Sequence, residues 1–245
     1  MKKILVPALM ATAMASMIHT AQAAEPESSL SFNAGVVSDY RYRGISQSRL
    51  DPAVQGGVDY ADKSGFYVGA WGSSIKWIKD TAGGGDAPVE IDLYGGYKGA
   101  VGDVAYDVGY LRYQYSGNTM STNANTDEVY GAVTYGLFTV KYSHAVSDLF
   151  GAANSKNSGY LDVSAALDMG NGYSLTPHIG RQVVKNNSGF SYTDYSLTVG
   201  KDLGNGLSAS VALVGTDLDK DVAGLNPDGK FNGKSGVVVG LKYAF

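Results

Sequence analysis

The sequence predicts an all-β protein: a transmembrane antiparallel β-barrel of about 12 strands, with short periplasmic turns and longer extracellular loops. Three observations predict it. Apolar residues recur at every second position in segment after segment, the pattern of a strand with one apolar face. The connections between those segments alternate short and long along the chain, as an outer-membrane barrel requires. The first residues read as an export signal, yet the chain beyond them holds no run of 18 apolar residues that could cross a membrane as a helix.

Composition agrees. Of 245 residues, 33 are glycine, nearly twice the share of roughly 7% in average proteins, and 18 are tyrosine. Turns and strands tolerate such glycine use better than helices do. Cysteine is absent, which excludes disulfides, thiolate metal sites, iron–sulfur ligation and cysteine nucleophiles. With 19 Lys and Arg against 23 Asp and Glu, the net charge is −4, so nucleic acid is not an expected partner.

Lys2 and Lys3 supply a positive n-region, Ile4 to Ile18 an apolar run, and Ala21-Gln22-Ala23 a small-x-small cleavage pattern. The run is shorter than the roughly 20 residues of a spanning helix. Residues 1–23 are therefore expected to be a cleaved signal peptide and 24–245 a single barrel domain.

The strands follow in order. Residues 30–42 place Leu30, Phe32, Ala34, Val36, Tyr40 and Tyr42 on one face. Segments 53–61 and 65–75 flank the short turn Asp62-Lys63-Ser64. In 89–98, Val89, Ile91, Leu93 and Tyr97 oppose Glu90, Asp92 and Lys98; in 104–115, Val104, Tyr106, Val108 and Tyr110 oppose Ala105, Asp107 and Gly109. A turn is expected at 99–103. Segments 127–135 and 138–146 flank Gly136-Leu137. In 159–169, Leu161, Val163, Ala165, Leu167 and Met169 alternate with Asp162, Ser164, Ala166 and Asp168. Segments 173–184, 192–203 and 207–216 are punctuated by Gly170-Asn171-Gly172 and Gly204-Asn205-Gly206, and in the last of them Leu207, Ala209, Val211 and Leu213 share a face. Finally, 235–245 alternates Val237, Val239, Leu241, Tyr243 and Phe245 with small or polar residues. The long connections fall at about 43–52, 76–88, 116–126, 147–158, 185–191 and 217–234. A water-soluble β-sandwich would also alternate, but its strands run about 5–6 residues, against the roughly 9–11 of a tilted membrane strand.

Aromatic residues cluster beside the short turns. Tyr60, Phe66, Tyr97, Tyr135, Phe138 and Tyr173 are expected in an interfacial girdle on the periplasmic side, with Tyr40 and Tyr42 in the outer one. Tyr243 and Phe245 read as the C-terminal signal for outer-membrane assembly. The partners this implies are outer-membrane lipid and the assembly machinery.

The stretch Gly35-Val36-Val37-Ser38-Asp39-Tyr40-Arg41-Tyr42-Arg43-Gly44-Ile45-Ser46-Gln47-Ser48 is followed by Pro52, Gln55, Gly57-Val58-Asp59-Tyr60 and Gly65-Phe66-Tyr67-Val68-Gly69-Ala70-Trp71. It resembles the opening of the TorF-family porins of Gram-negative bacteria, as does Val89-Glu90-Ile91-Asp92-Leu93-Tyr94-Gly95-Gly96-Tyr97. The motifs cover about the first third of the mature chain. The resemblance implies an outer-membrane barrel conducting solutes, with no catalytic or ligand residues to carry over.

Strand parity gives the lumen. Asp39, Arg41 and Arg43 face inward beneath the first external loop, where they either brace the wall by mutual ion pairs or set a local field for ions. Asp59, Glu90, Asp92, Asp107, Glu128, Asp162, Asp168, Asp194 and Asp202 face inward too, against Lys98, Lys141 and Lys242. An open lumen of this kind favours cations modestly, and the expected cargo is small hydrophilic solutes or ions. A 12-stranded barrel has a backbone radius of roughly 13 Å, so the channel is narrow.

No enzyme is expected. His144 and Ser143 point to opposite faces, His178 lies among small polar residues, and neither a Gly-x-Ser-x-Gly elbow nor a phosphate loop occurs. No cofactor is expected, and Asp217, Asp219 and Asp221 lack the spacing of a calcium loop. The competing reading is a closed structural or adhesive barrel whose loops bind a partner. The sequence sets no oligomeric state.

Overall fold

A long sheet of alternating strands avoids unpaired edges by closing on itself. The computed structural model describes residues 28–245, so the expected export signal lies outside the described residues. The barrel strands are β1 Ser29–Val37, β2 Ala53–Ala61, β3 Phe66–Ser74 and β4 Val89–Val101. They continue as β5 Val104–Gln114, β6 Thr126–Tyr135, β7 Phe138–Ala145 and β8, which is Gly159–Ala165 continued by Leu167–Gly170. The last are β9 Tyr173–Val183, β10 Tyr192–Gly204, β11 Leu207–Thr216 and β12 Gly236–Ala244. Each pairs antiparallel with its sequence neighbours, and β12 returns to β1 with Asn33 opposite Ala244 and Val37 opposite Gly240. Phe32 and Phe245 exchange backbone hydrogen bonds of 2.8 and 3.0 Å, completing the seam. The result is the closed 12-strand antiparallel barrel that the alternation predicts.

Side-chain parity sets the two faces. Leu30, Val54, Val68, Leu93, Val108, Val133, Leu161, Ile179, Leu213 and Val237 all point outward and are exposed, forming an apolar band around the barrel. Exposed apolar area on this scale marks a lipid-facing surface. Among the described residues, no helix is long and apolar enough to cross a membrane. The helical turns Trp77–Asp80 and Lys220–Ala223 belong to long connections.

The short turns share a device. Asn171-Gly172 and Asn205-Gly206 have φ of +52, +77 and +53, +80, the left-handed pair of a two-residue hairpin turn. A Cβ on Gly206 would lie 2.1 Å from the Ala244 carbonyl oxygen, so only glycine fits there. Asp168 and Asp202 each accept the N–H of the residue two positions on, Gly170 and Gly204, at 2.8 Å. Asp62 does the same for Ser64 at 2.9 Å and also accepts the Ser64 and Ser28 hydroxyls. These bonds hold the Asp62 carboxyl down at about 2. A folded-state value below the unfolded one stabilises above the unfolded pKa and is lost as pH falls through the folded one. The stability difference between the wild type and Asp62→Asn, followed by urea unfolding, is therefore expected at pH 5 and should be mostly lost by pH 2.

Two strand ends differ from the sequence reading by more than two residues. The 99–103 turn is confined to Gly102 and Asp103, because Ala100 still pairs with Ala105 and Val101 with Val104. The first strand ends at Val37 rather than at 42, and the residues after it enter the barrel.

Candidate functional site

The lumen is built from alternate strand positions and from residues 38–52. At Ser38 the chain leaves β1: its N–H donates to the Val239 carbonyl at 2.8 Å, while the Val239 N–H donates to its hydroxyl at 2.9 Å. Arg41–Tyr42 then pairs with Ile45–Ser46 across Arg43-Gly44, whose φ values are +46 and +80. This is another two-residue hairpin turn, pointing inward. A Cβ on Gly44 would meet the Asp194 Cβ at 2.7 Å, so the turn rests directly on the wall.

Charge fixes the hairpin. At its tip the Arg43 guanidinium donates to both Glu128 oxygens, at 2.7 and 3.0 Å, and to the Gln182 side-chain oxygen at 2.6 Å. It also lies 4.2 Å from the Tyr160 ring centroid. At its base Arg41 donates to Asp39 at 2.5 Å and to the carbonyls of Gly44 and Lys234, both at 2.9 Å. Asp39 accepts the Ser46 hydroxyl as well. An arginine offers five donors in a fixed fork, which suits it to bridging a loop and a wall at once.

Tyr40 and Tyr42 accordingly lie inside the barrel and not in an outer aromatic girdle. Tyr40 is 5% exposed, donates to Glu90 at 2.5 Å and meets Trp71 edge-on at 5.5 Å. Tyr42 donates to the Tyr113 hydroxyl at 2.7 Å and packs on the Phe150 ring. Asp39, Arg41 and Arg43 draw them in, since Arg43 finds Glu128 and Gln182 on the inner wall and Arg41 finds Asp39 within the same segment.

The walls differ. On β3 to β6, large side chains fill the space with Trp71, Tyr94, Leu111, Tyr113 and Tyr130. Here Tyr94 donates to Asp59 at 2.5 Å and Tyr67 to Asp107 at 2.6 Å, with Lys98 3.9 Å from Asp107. On β8 to β11 the wall is small and polar, with Ser164, Thr176, Ser196, Thr198, Ser210 and Ala212 lining a cavity of about 310 Å³. His178 lies at its side, 2.8 Å from Asp162 and 3.7 Å from Asp194, whose carboxylate also accepts the Tyr160 hydroxyl at 2.9 Å. Among the described residues no group of three or more acids or histidines could hold a metal ion.

Of the lumen residues expected from parity, Glu90, Asp92, Asp107 and Asp194 are buried and Asp59 and Asp162 half-buried. Asp168 is a correction: it is exposed and engaged with its turn rather than with the lumen. Tyr60, Phe66, Tyr135, Phe138 and Tyr173 are exposed beside the short turns, and Tyr97 is half-buried against Phe66 with centroids 5.0 Å apart. Tyr243 and Phe245 stack at the same end.

A family model described as "Bacterial protein of unknown function (Gcw_chp)" matches residues 20–245. The chain belongs to that family. Among solved structures it is similar to the KdgM porin, with a TM-score of 0.56 and 8% identity over 89% of this chain and 99% of that one. The NanC porin is similar at a TM-score of 0.54 and 11% identity, again over 89% and 99%. At such identities the likeness shows the fold alone. No curated protein matches the sequence.

In this Gcw_chp chain, the parity argument misses Gln182, Tyr113, Tyr115 and Tyr160 as lumen contacts. All four lie at even spacing from inward residues already identified: Gln182 from His178, Tyr113 and Tyr115 from Asp107, and Tyr160 from Asp162. Extending each strand's inward parity to its long-loop end would find them.

Proposed function

We propose that the protein is an outer-membrane, porin-like channel for passive diffusion of small hydrophilic solutes or ions, narrow and mildly cation-preferring. One observation carries this reading: the cavity of about 310 Å³ between the inward hairpin and the small polar wall, bordered by Asp162, His178 and Asp194. Around the cavity four carboxylates face four basic residues, but over the lumen as a whole Asp39, Asp59, Glu90, Asp92, Asp107, Glu128, Asp162 and Asp194 outnumber Arg41, Arg43, Lys98, Lys141 and Lys242, which favours cations through the local field. The fold supports it, since the similar structures are porins, and the TorF-like motifs are consistent with it. One of those porins is described in complex with disordered oligogalacturonate. That polyanion suits a basic lumen, so the solute is not carried over to this acidic one. The short turns then face the periplasm and the long loops the exterior.

A closed adhesive or structural barrel is the second reading, favoured by how tightly the loops are tied to each other. Gly85 bridges to Asn118, the Thr119 N–H donates to the Gly84 carbonyl at 3.0 Å, and the Asn187 side chain donates to the Ala153 carbonyl at 3.0 Å. Reconstitution in a planar bilayer with a KCl gradient separates the two. Small conductance steps with a reversal potential on the potassium side are expected. Silence from a folded, heat-modifiable barrel would reject the channel in favour of the second reading.

A further inference from the structure

Two buried carboxylate oxygens in the lumen have no hydrogen-bond partner among the described residues, Asp59 Oδ2 and Asp92 Oδ1. Asp92 is the more isolated. It is 2% exposed and lines the central cavity, and no ion pair to it occurs among the described residues. Its neighbours cannot relieve it: Glu90 takes the Tyr40 and Tyr115 hydroxyls at 2.5 and 2.6 Å, and Glu128 is held by Arg43.

The register dictates what surrounds this carboxylate. Asp92 on β4 lies directly opposite Trp71 on β3 and Tyr113 on β5, and Tyr94 follows it on the same face. Directly opposed Cβ atoms are about 4.5–5.5 Å apart. The hairpin adds Tyr40 against Trp71. Four rings and the carboxylate thus border one cavity.

A buried carboxylate without a partner is costly, and the cost is relieved either by taking up a proton or by a cation that brings N–H donors, of which only the cation leaves the carboxylate charged. Aromatic faces attract the same cation through their quadrupoles. A divalent metal would need about six to eight oxygen ligands, which this group does not offer, and a neutral sugar would leave the charge uncompensated. We propose that Asp92, with Tyr40, Trp71, Tyr94 and Tyr113, forms a binding site for the primary ammonium group of an organic solute. As a station on a permeation path the site rests on the channel reading above; as a binding site it stands without it.

The experiment reads both. The full chain is reconstituted in a planar bilayer in KCl and titrated with n-butylammonium, tetramethylammonium and, as the uncharged match, n-butanol. In parallel, the folded protein in detergent, carrying Trp77→Phe so that Trp71 is its one tryptophan, is titrated by fluorescence. n-Butylammonium should lower the potassium conductance and shift Trp71 emission over the same concentration range. Tetramethylammonium, which lacks N–H donors, should be at least ten-fold weaker, and n-butanol inert. Asp92→Asn should raise both half-effect concentrations at least ten-fold, while Asp168→Asn should change neither. If Asp92→Asn fails to fold, Tyr94→Leu, which keeps the carboxylate and removes one ring, should weaken both effects at least five-fold. Normal potassium current with no block, no emission shift, or effects that ignore these substitutions would overturn the site and leave the channel standing. No current, but an Asp92-dependent emission shift, would reject the channel and leave the site standing.

Discussion

Arg43→Ala is expected to destabilise the folded barrel by about 3–5 kcal/mol, the cost of leaving one partner of a buried ion pair uncompensated. Glu128 would keep a buried carboxylate, 2% exposed, with the Tyr113 hydroxyl at 3.4 Å as its nearest remaining donor. Water reaching it from the lumen moves the cost toward the lower end. Gln182 would lose its contact as well, and of the bonds that fix the tip only the one from Arg41 to the Gly44 carbonyl and the pairing of residues 41–42 with 45–46 would remain to hold the Arg43 backbone in its left-handed φ, a conformation that costs roughly 1–2 kcal/mol. The hairpin should then swing away from the wall, and the potassium conductance should rise by on the order of two-fold or more as the lumen widens. Urea unfolding of Arg43→Ala, Glu128→Gln and the double variant closes a cycle, in which a coupling above about 1.5 kcal/mol is expected. Costs that add to within about 0.5 kcal/mol, with unchanged conductance, would mean that Arg43 neither fixes the hairpin nor narrows the lumen.

That hairpin is also where sequence reasoning stopped. Period two is legible wherever one face meets lipid and the other the lumen, so Val237, Val239 and Leu241 reveal both their strand and its faces. The Asn-Gly turns announce themselves because their chemistry is local. Residues 38–46 keep the same period after the chain has left the barrel wall, since a hairpin inside the lumen alternates as a wall strand does. Tyr40 and Tyr42 therefore read as a continuation of Phe32, Ala34 and Val36. Two local features distinguish them: Ser38 breaks the apolar face, and Arg43-Gly44 sits between residues that pair as Tyr42 with Ile45. Where the hairpin goes is a matter of Glu128, Gln182 and Asn232, more than 80 residues away in the chain. No local pattern encodes such distances. Asp168 fails for the opposite reason: its parity is inward, but it lies so close to the turn that the Gly170 N–H claims it.

The assignment of faces itself makes the second large prediction. Val211, in the middle of β11, lies between Val199 and Val239, and all three are about half exposed on the outer band. Arginine there must place its charge in the bilayer midplane, and Val211→Arg is expected to cost about 2–4 kcal/mol of stability in lipid vesicles. Ser210 is the preceding residue and faces the cavity, with Gly200 on one side and Gly240 on the other. Those two glycines leave room for a long side chain, and the lumen supplies water and carboxylates to receive its charge. Ser210→Arg should therefore fold with little loss of stability and instead move the reversal potential toward chloride. One position along the strand thus separates a stability defect from a selectivity change. Urea titration in vesicles and bilayer recording of both variants give the answer. If Ser210→Arg proved the unstable one and Val211→Arg folded normally, the lipid and lumen faces of β11 would have to be exchanged. Because β11 is locked to β10 and β12 by continuous pairing, that exchange would carry into its neighbours and remove the small polar wall on which the channel reading rests.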